Sequence, residues 1–265
     1  MNVSKAVRLL SLLPAHPVEF YDRVATVVQV TSEAHEKSGG PTAGVSYPDA
    51  LTRALSVPTS CILEVLAEKQ LRQIEQNVLA AMTNANRESP FDAGHNGDFS
   101  LARSIYVICR LLRPNVVLET GVAHGVTSAF ALQALAINQT GILFSIDLPP
   151  LGAEADKHVG AFVAPELRGR WRLNRGPTKR VLPKLLPTIK EVDLFVHDSL
   201  HTYRNMDFEF RTVWPYLRPG GFLISDDVGL NDAFEDFSSQ VGPVISALIN
   251  QEDKNALFGI LVKAA

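Results

Sequence analysis

The sequence predicts an α/β fold with a doubly wound, mostly parallel sheet, preceded by a helical N-terminal extension. Three observations carry this. Beyond Pro114, short apolar runs with β-branched residues alternate with helical stretches, the pattern of strand–helix units. The carboxyl ends of several of these runs are polar and acidic, as in open sheets that bind ligands there. Upstream of Pro114, apolar residues recur at helical spacing instead.

Taking the elements in order, Ala6, Leu9, Leu10 and Leu13 share one face of a short amphipathic helix. Arg8 and Pro14 interrupt the apolar run that a signal peptide would need. Residues 32–48 (SEAHEKSGGPTAGVSYP) are rich in Gly, Ser and Pro without apolar periodicity, and a mobile loop is expected, serving as lid or linker. Leu63, Ala67, Leu71, Ile74, Val78 and Met82 then fall at helical spacing opposite Glu68, Arg72 and Glu75. One long amphipathic helix is therefore expected from Ser60 to about Asn86. Ile62, Val65 and Leu66 lie off its stripe, which implies burial of its first turns on more than one side. The stretch PFDAGHNG (90–97) breaks the pattern, and Leu101, Ile105, Ile108 and Leu112 mark a further helix closed by Pro114.

Strands are expected at 116–119, 142–147, 171–175, 194–197, 222–225 and 258–262. A helix rich in Ala and Leu covers 127–137, and Met206, Phe210, Val213, Trp214 and Leu217 mark another ending at Arg218-Pro219-Gly220-Gly221. The 265 residues suit one large domain with an extension, divided here at 1–99 and 100–265.

Composition narrows the function. With 46% hydrophobic and 20% charged residues, the chain is neither disordered nor a coiled coil throughout. Twenty-five Lys and Arg against 28 Asp and Glu leave a net charge of −3, so no global positive field draws it to nucleic acid or an anionic membrane. No apolar run of about 18 residues exists to span a bilayer. Cys61 and Cys109 stand far apart without metal-ligand spacing, which points to a reducing compartment and an expected cytoplasmic location. Seven basic and no acidic residues lie between Arg168 and Lys184, read as a solvated sheet edge and helix face.

The chemistry should sit at the strand ends. The first strand runs into Glu119-Thr120-Gly121-Val122-Ala123-His124-Gly125, a glycine-containing turn that opens a helix. The second ends at Asp147, 22 residues beyond Gly125, where a carboxylate can accept both hydroxyls of a ribose. The turn lacks the G-x-G-x-x-G spacing of a pyrophosphate site, so a nucleoside without phosphates fits better than a dinucleotide. Two later strands deliver His197-Asp198-Ser199-Leu200-His201-Thr202-Tyr203 and Ser225-Asp226-Asp227. Three carboxylates at neighbouring strand ends repel one another unless a cation or a shared proton intervenes, and a hard divalent ion such as Mg²⁺ answers that need.

The runs VLETGVAHGVTSAFALQAL, GILFSIDLP and VDLFVHDSLHTYRNMDFEFRTVWPYLRPGGFLISDDV resemble the class I S-adenosylmethionine-dependent methyltransferases, with their Rossmann-like sheet. More narrowly, they resemble the metal-dependent O-methyltransferases that modify sugars on macrolides and polysaccharides. The resemblance covers about 100–263, and its most specific part is D-x-x-H-x-Y followed by PGG and a double aspartate. It implies S-adenosylmethionine as cofactor, with Glu119, Gly121 and Gly125 around its methionine part, Asp147 on the ribose, Arg175 and Gly176 near the adenine, and Thr127 and Ser128 also among the cofactor-binding residues. It implies Asp198, Asp226 and Asp227 as ligands of a divalent metal, with His201 as general base and Asp198 beside it in catalysis. The acceptor would be a small molecule or an oligosaccharide. The N-terminal helices would serve as a lid over the acceptor and as a contact in a homodimer.

This chain departs from the resemblance at Ala123, where a glycine is common, and in showing one clear strand beyond Asp227 where a hairpin is usual. A phenolic or catechol acceptor is the alternative, against which the 8% aromatic content argues mildly. A cofactor-binding partner protein without activity is another, but it would have no need of Asp198, His201, Asp226 and Asp227 together. His124 and His197 are assigned no catalytic role.

Overall fold

The computed structural model describes residues 3–33, 43–85, 91, 98–152 and 154–264. Seven strands form one sheet: β1 (Val116–Thr120), β2 (Ile142–Asp147), β3 (Trp171–Arg175), β4 (Val192–His197), β5 (Leu217–Ser225), β6 (Ile245–Asn250) and β7 (Leu257–Val262). Their order is β3-β2-β1-β4-β5-β7-β6, parallel through β5 and antiparallel for β7 and β6. The order reverses between β1 and β4, so a crevice opens at their carboxyl ends.

Alternation along the strands feeds two cores. Val117, Leu143, Leu194, Val196, Phe222, Ile224 and Ile260 face one side, where they meet α3 (Tyr47–Leu55), α6 (Phe99–Leu112) and α7 (Val126–Asn138). Leu118, Ile146, Phe195, Leu223 and Leu261 face the other, against α9 (Thr178–Ile189), α10 (Tyr203–Val213) and α11 (Ala233–Val241). Both faces of the parallel strands are thus covered, which explains why β4 reads as an apolar run apart from Asp193 and the terminal His197. Asp193 is satisfied at the amino ends of the strands, where it accepts the N–H groups of Asn115 and Val116 at 2.9 Å and pairs with Arg218 at 2.5 Å.

Several expectations are corrected. The long helix expected from Ser60 is two, α4 (Thr59–Leu66) and α5 (Lys69–Ala85), and its stripe changes phase between them. Ile62 and Val65 are buried in α4 while Leu63 is exposed, and Leu71, Ile74 and Val78 are buried in α5. At the break, Glu68 turns towards α6, where it pairs with Arg110 at 2.7 Å and accepts the Tyr106 hydroxyl. The segment Arg218-Pro219-Gly220-Gly221 lies inside β5 instead of ending a helix, which stops at Val213 before a 3₁₀ turn. Beyond Asp227 the chain does form a hairpin, because β6 precedes β7 and pairs with it from Ile245↔Val262 to Asn250↔Leu257. Of the loop expected over 32–48, residues 34–42 lie outside the described residues, while Tyr47 and Pro48 open α3. The stretch 90–97 also lies outside them, except for buried Phe91.

The N-terminal helices divide into two kinds. Those from α3 to α6 belong to the first core, but among the described side chains α1 (Val3–Leu12) and α2 (Pro17–Glu33) contribute nothing to either core. Gln29 is the one buried residue of α2. Polar contacts hold α2 across the carboxyl edge of the sheet instead. Glu19 pairs with Arg175 at 2.8 Å and Asp22 with Arg180 at 3.0 Å, Arg23 donates to the Pro149 carbonyl at 2.9 Å, and Gln29 accepts from Lys179 and donates to Thr202, each at 2.6 Å. No helix among the described residues is long and apolar enough to cross a membrane.

Arg175, with Arg23 beside it, holds the Glu19 carboxyl down at about 2 against burial, below its ordinary 4.5. A depressed carboxylate stabilises docking above the ordinary value, and that contribution is lost as pH falls through about 2. Salt of roughly 1 M, with a Debye length of about 3 Å, should weaken the same contacts. Amide exchange in α2, followed by mass spectrometry, is therefore expected to accelerate in high salt and in Glu19→Gln while α6 stays protected. An unchanged α2 rate would mean that apolar contact holds it.

Candidate active site

The register of the sheet assembles the floor of the site. Glu119 lies beside Ser145 across β1 and β2, and Thr120 beside His197 across β1 and β4. Glu119 faces α7 and is buried, where its carboxylate accepts Thr127 Oγ1 at 2.7 Å, Ser128 Oγ at 2.6 Å and Ser145 Oγ at 2.7 Å. Burial pushes this carboxyl above its ordinary range while the three hydroxyls oppose the shift. The hydroxyls of Thr127 and Ser128, expected at a cofactor, thus turn inward to hold Glu119.

On the other face, a network absent from the sequence reading surrounds Glu209 of α10. Its carboxylate accepts Thr120 Oγ1 at 2.6 Å, Ser199 Oγ at 2.8 Å and Asn205 Nδ2 at 2.9 Å, and meets His197 Nδ1 at 2.7 Å. Burial would raise the Glu209 carboxyl, but His197 and the other donors bring it down to about 2. An ionised carboxylate only accepts, so His197 carries its proton on Nδ1. A signal for this existed in the sequence, because Glu209 sits on the same helix face as Met206, Phe210 and Val213.

The turn after β1 is shaped by close backbone approach. Gly121 has φ +82°, and a Cβ there would stand 1.9 Å from the carbonyl oxygen of Asp198. Gly125 has φ +88°, and its Cβ would meet Gly160 at 2.9 Å. Ala123, standing where a glycine is common, also takes a left-handed conformation. Asp147 braces this turn, with Oδ2 accepting the N–H groups of Val122 and Ala123 at 2.8 Å each. The Gly160 and Phe162 N–H groups donate to the carbonyls of Ala123 and His124, and the Phe162 ring stacks on His124. Arg175 is engaged by Glu19 and Asp156, and the Gly176 N–H donates to the Asp147 carbonyl.

Across the crevice, Asp198, His201 and Asp226 offer ligand atoms that all lie within 4.8 Å of one another. Asp227 stands outside this trio, with Oδ2 3.2 Å from His201 Nδ1, while His201 Nε2 is 3.8 Å from Asp198. Burial, reinforced by the other carboxylates, raises Asp198 well above its usual range, and burial with the Asp227 charge brings Asp226 up to about 7. The Lys254 ammonium opposes these shifts from the β6–β7 turn, another residue absent from the sequence reading. The carboxylates of Asp198 and Asp226 at this spacing, with repulsion that a cation would relieve, fit a hard divalent ion. The buried Oε1 of Gln251, without a hydrogen-bond partner among the described residues, fits it too.

The basic run from Arg168 to Lys184 is largely spent within the protein. Arg168, Arg170 and Arg172 donate to carbonyls, and Arg175, Lys179 and Arg180 hold α2.

Comparison with known proteins follows the same lines. Residues 118–228 match the sequence profile of a methyltransferase domain. No curated protein matches the chain. Among solved structures, it is similar to an O-methyltransferase from Bacillus cereus in complex with SAH (TM-score 0.55, 14% identity, 76% of this chain and 94% of that one). It is similar to the SAH-bound methyltransferase PaMTH1 of Podospora anserina (0.54, 14%, 71% and 88%). It also resembles TomG from Streptomyces achromogenes, an O-methyltransferase involved in tomaymycin synthesis, in complex with SAM (0.53, 16%, 75% and 91%). At these identities the likeness is one of fold.

Gly121→Ala should cost at least about 3 kcal/mol, combining left-handed strain with overpacking against Asp198. Gly242→Ala, with φ +55° and open space around it, should cost only about 1 kcal/mol. Urea denaturation of the two variants checks the difference.

The strand order and the likeness to solved structures show the class I methyltransferase fold, and the match of residues 118–228 to the profile of a methyltransferase domain marks the chain as an enzyme.

Proposed function

We propose that the protein is an S-adenosylmethionine-dependent O-methyltransferase that uses a divalent cation and acts on a hydroxyl of a sugar or oligosaccharide. The observation that carries this reading is the meeting, at the β1/β4 switch point, of the Gly121 turn braced by Asp147 with the group Asp198, His201 and Asp226. The likeness to SAH- and SAM-bound structures supports the cofactor.

S-adenosylmethionine supplies a methyl group already activated on a sulfonium, so the protein must align an acceptor oxygen and remove its proton. Gly121 and Gly125 let the turn pack tightly against Asp198 and Gly160 and so shape the wall beside which the methionine part would lie, and Asp147 would take the ribose hydroxyls with its carboxylate. His201 would accept the acceptor proton. Asp227 against Nδ1 orients the imidazole and supports the charge it gains, leaving Nε2 for the incoming proton. Asp198 and Asp226 would hold the divalent cation, whose Lewis acidity makes a sugar hydroxyl easier to deprotonate. The Glu209 network keeps the segment 197–205 rigid behind these groups. A natural-product acceptor is the second reading, favoured by the likeness to TomG.

Calorimetric titration of S-adenosylmethionine is expected to show binding that Asp147→Ala abolishes. No binding by the unmodified protein would overturn the methyltransferase assignment of this pocket. His201→Ala is expected to lose on the order of 10² to 10⁴ in turnover while keeping cofactor affinity. Equal loss of cofactor affinity would exclude His201 as the base. Chelation should abolish turnover, and Mg²⁺ should restore it, in an acceptor screen that takes sugars before phenols.

A further inference from the structure

The hairpin β6–β7 places its turn, residues 251–256, beside the end of β5. Gln251 begins this turn and is buried. Its Nε2 donates to Asp226 Oδ1, and its backbone N–H donates to the Ala256 carbonyl at 3.0 Å. The turn is also tied to the start of α6, where the Asp253 N–H donates to Asp98 Oδ2 at 2.9 Å and Asp253 Oδ2 accepts the Phe99 N–H at 3.2 Å. The turn that carries Gln251 is therefore held from several sides, and its amide is held by Asp226.

That leaves one atom unaccounted for. Oε1 of Gln251 is buried and has no hydrogen-bond partner among the described residues. It shares a carbon with the nitrogen bonded to Asp226, so an acceptor oxygen lies beside a carboxylate that is itself grouped with Asp198 and His201. A buried acceptor oxygen beside such carboxylates is stabilised by a hard cation, which takes carboxylates and Gln carbonyl oxygens alike.

We infer that Gln251 belongs to the divalent-cation site, its Nε2 positioning Asp226 and its Oε1 supplying an oxygen to the ion or to a water on it. This rests on the divalent-cation part of the proposed function and adds to it a residue from outside the strand ends β4 and β5. The cation site then has two walls. One is the pair of parallel strands carrying Asp198 and Asp226, and the other is an antiparallel hairpin anchored on α6.

The test is calorimetric titration of Mn²⁺ into the metal-free full chain and its Gln251→Leu and Gln251→Glu variants, with S-adenosylhomocysteine binding measured on the same preparations. Loss of a group that orients or supplements metal ligands typically costs 10- to 100-fold in affinity. Gln251→Leu should lose Mn²⁺ affinity on that order, Gln251→Glu should bind Mn²⁺ at least as tightly as the unmodified protein, and both should keep S-adenosylhomocysteine affinity. Unchanged Mn²⁺ affinity in Gln251→Leu would overturn the inference. So would a parallel loss of both ligands in both variants, which marks a structural role. Should Gln251→Leu fail to fold, Gln251→Glu decides, because weakened Mn²⁺ binding there excludes an oxygen ligand at this position. An unmodified protein that binds S-adenosylhomocysteine but no Mn²⁺ would overturn the cation part of the proposed function and this inference with it, leaving the cofactor assignment standing.

Discussion

Negative charge buried at the carboxyl edge of the sheet is the constraint around which the rest is arranged. A buried carboxylate is tolerated when donors surround it and costly when they do not. Glu119 has three hydroxyls and Glu209 has a histidine, two hydroxyls and an amide, so both act as fixed struts between strand and helix. Asp147 is braced by two backbone amides and becomes part of a turn. Asp198 and Asp226 receive no comparable set of donors, and each is pushed upward by burial and by its neighbours. The contrast separates scaffold from site: carboxylates the fold has satisfied hold it together, and those it has left in mutual repulsion are the ones to which the proposed function assigns a cation.

The N-terminal half serves the same edge in two ways. Helices α3 to α6 are bound by apolar burial and share a core with α7 and the sheet. Helix α2 touches the loops after β2, β3 and β4 through charges and amides. Apolar burial is insensitive to salt and resists local opening, whereas a helix docked by ion pairs opens more readily than the body it covers.

Much of this was legible in the chain. The ends of β1, β2, β4 and β5 follow from apolar runs with β-branched residues, and their topology brings Glu119, Asp147, Asp198 and Asp226 to one side without any knowledge of contacts. What escaped has physical reasons. The break at Ala67 contains no Pro or Gly and depends on Glu68 reaching Arg110, 42 residues away. Helix α9 carries Pro183 and Pro187 inside it, which disguises its period. Strand β6 is an edge strand with alternating exposure in a run of only six residues. Gln251 looks like any turn residue until β7 folds back and sets its amide against Asp226. The Glu19–Arg175 pair spans 156 positions, beyond the reach of local pattern.

The position of β7 between β5 and β6 bears on how the protein is made. Strand β6 leaves the ribosome before β7, yet β7 is its neighbour along the whole register and separates it from β5. Until residues 257–262 are available, β6 has only the bridge from Val45 and cannot join the sheet as a ladder. The parallel strands can assemble first, as a scaffold with both aspartates exposed at its edge. The hairpin closes afterwards, carrying the amide and the ammonium that meet them, so competence for ligand is acquired late in synthesis, after the scaffold is already in place.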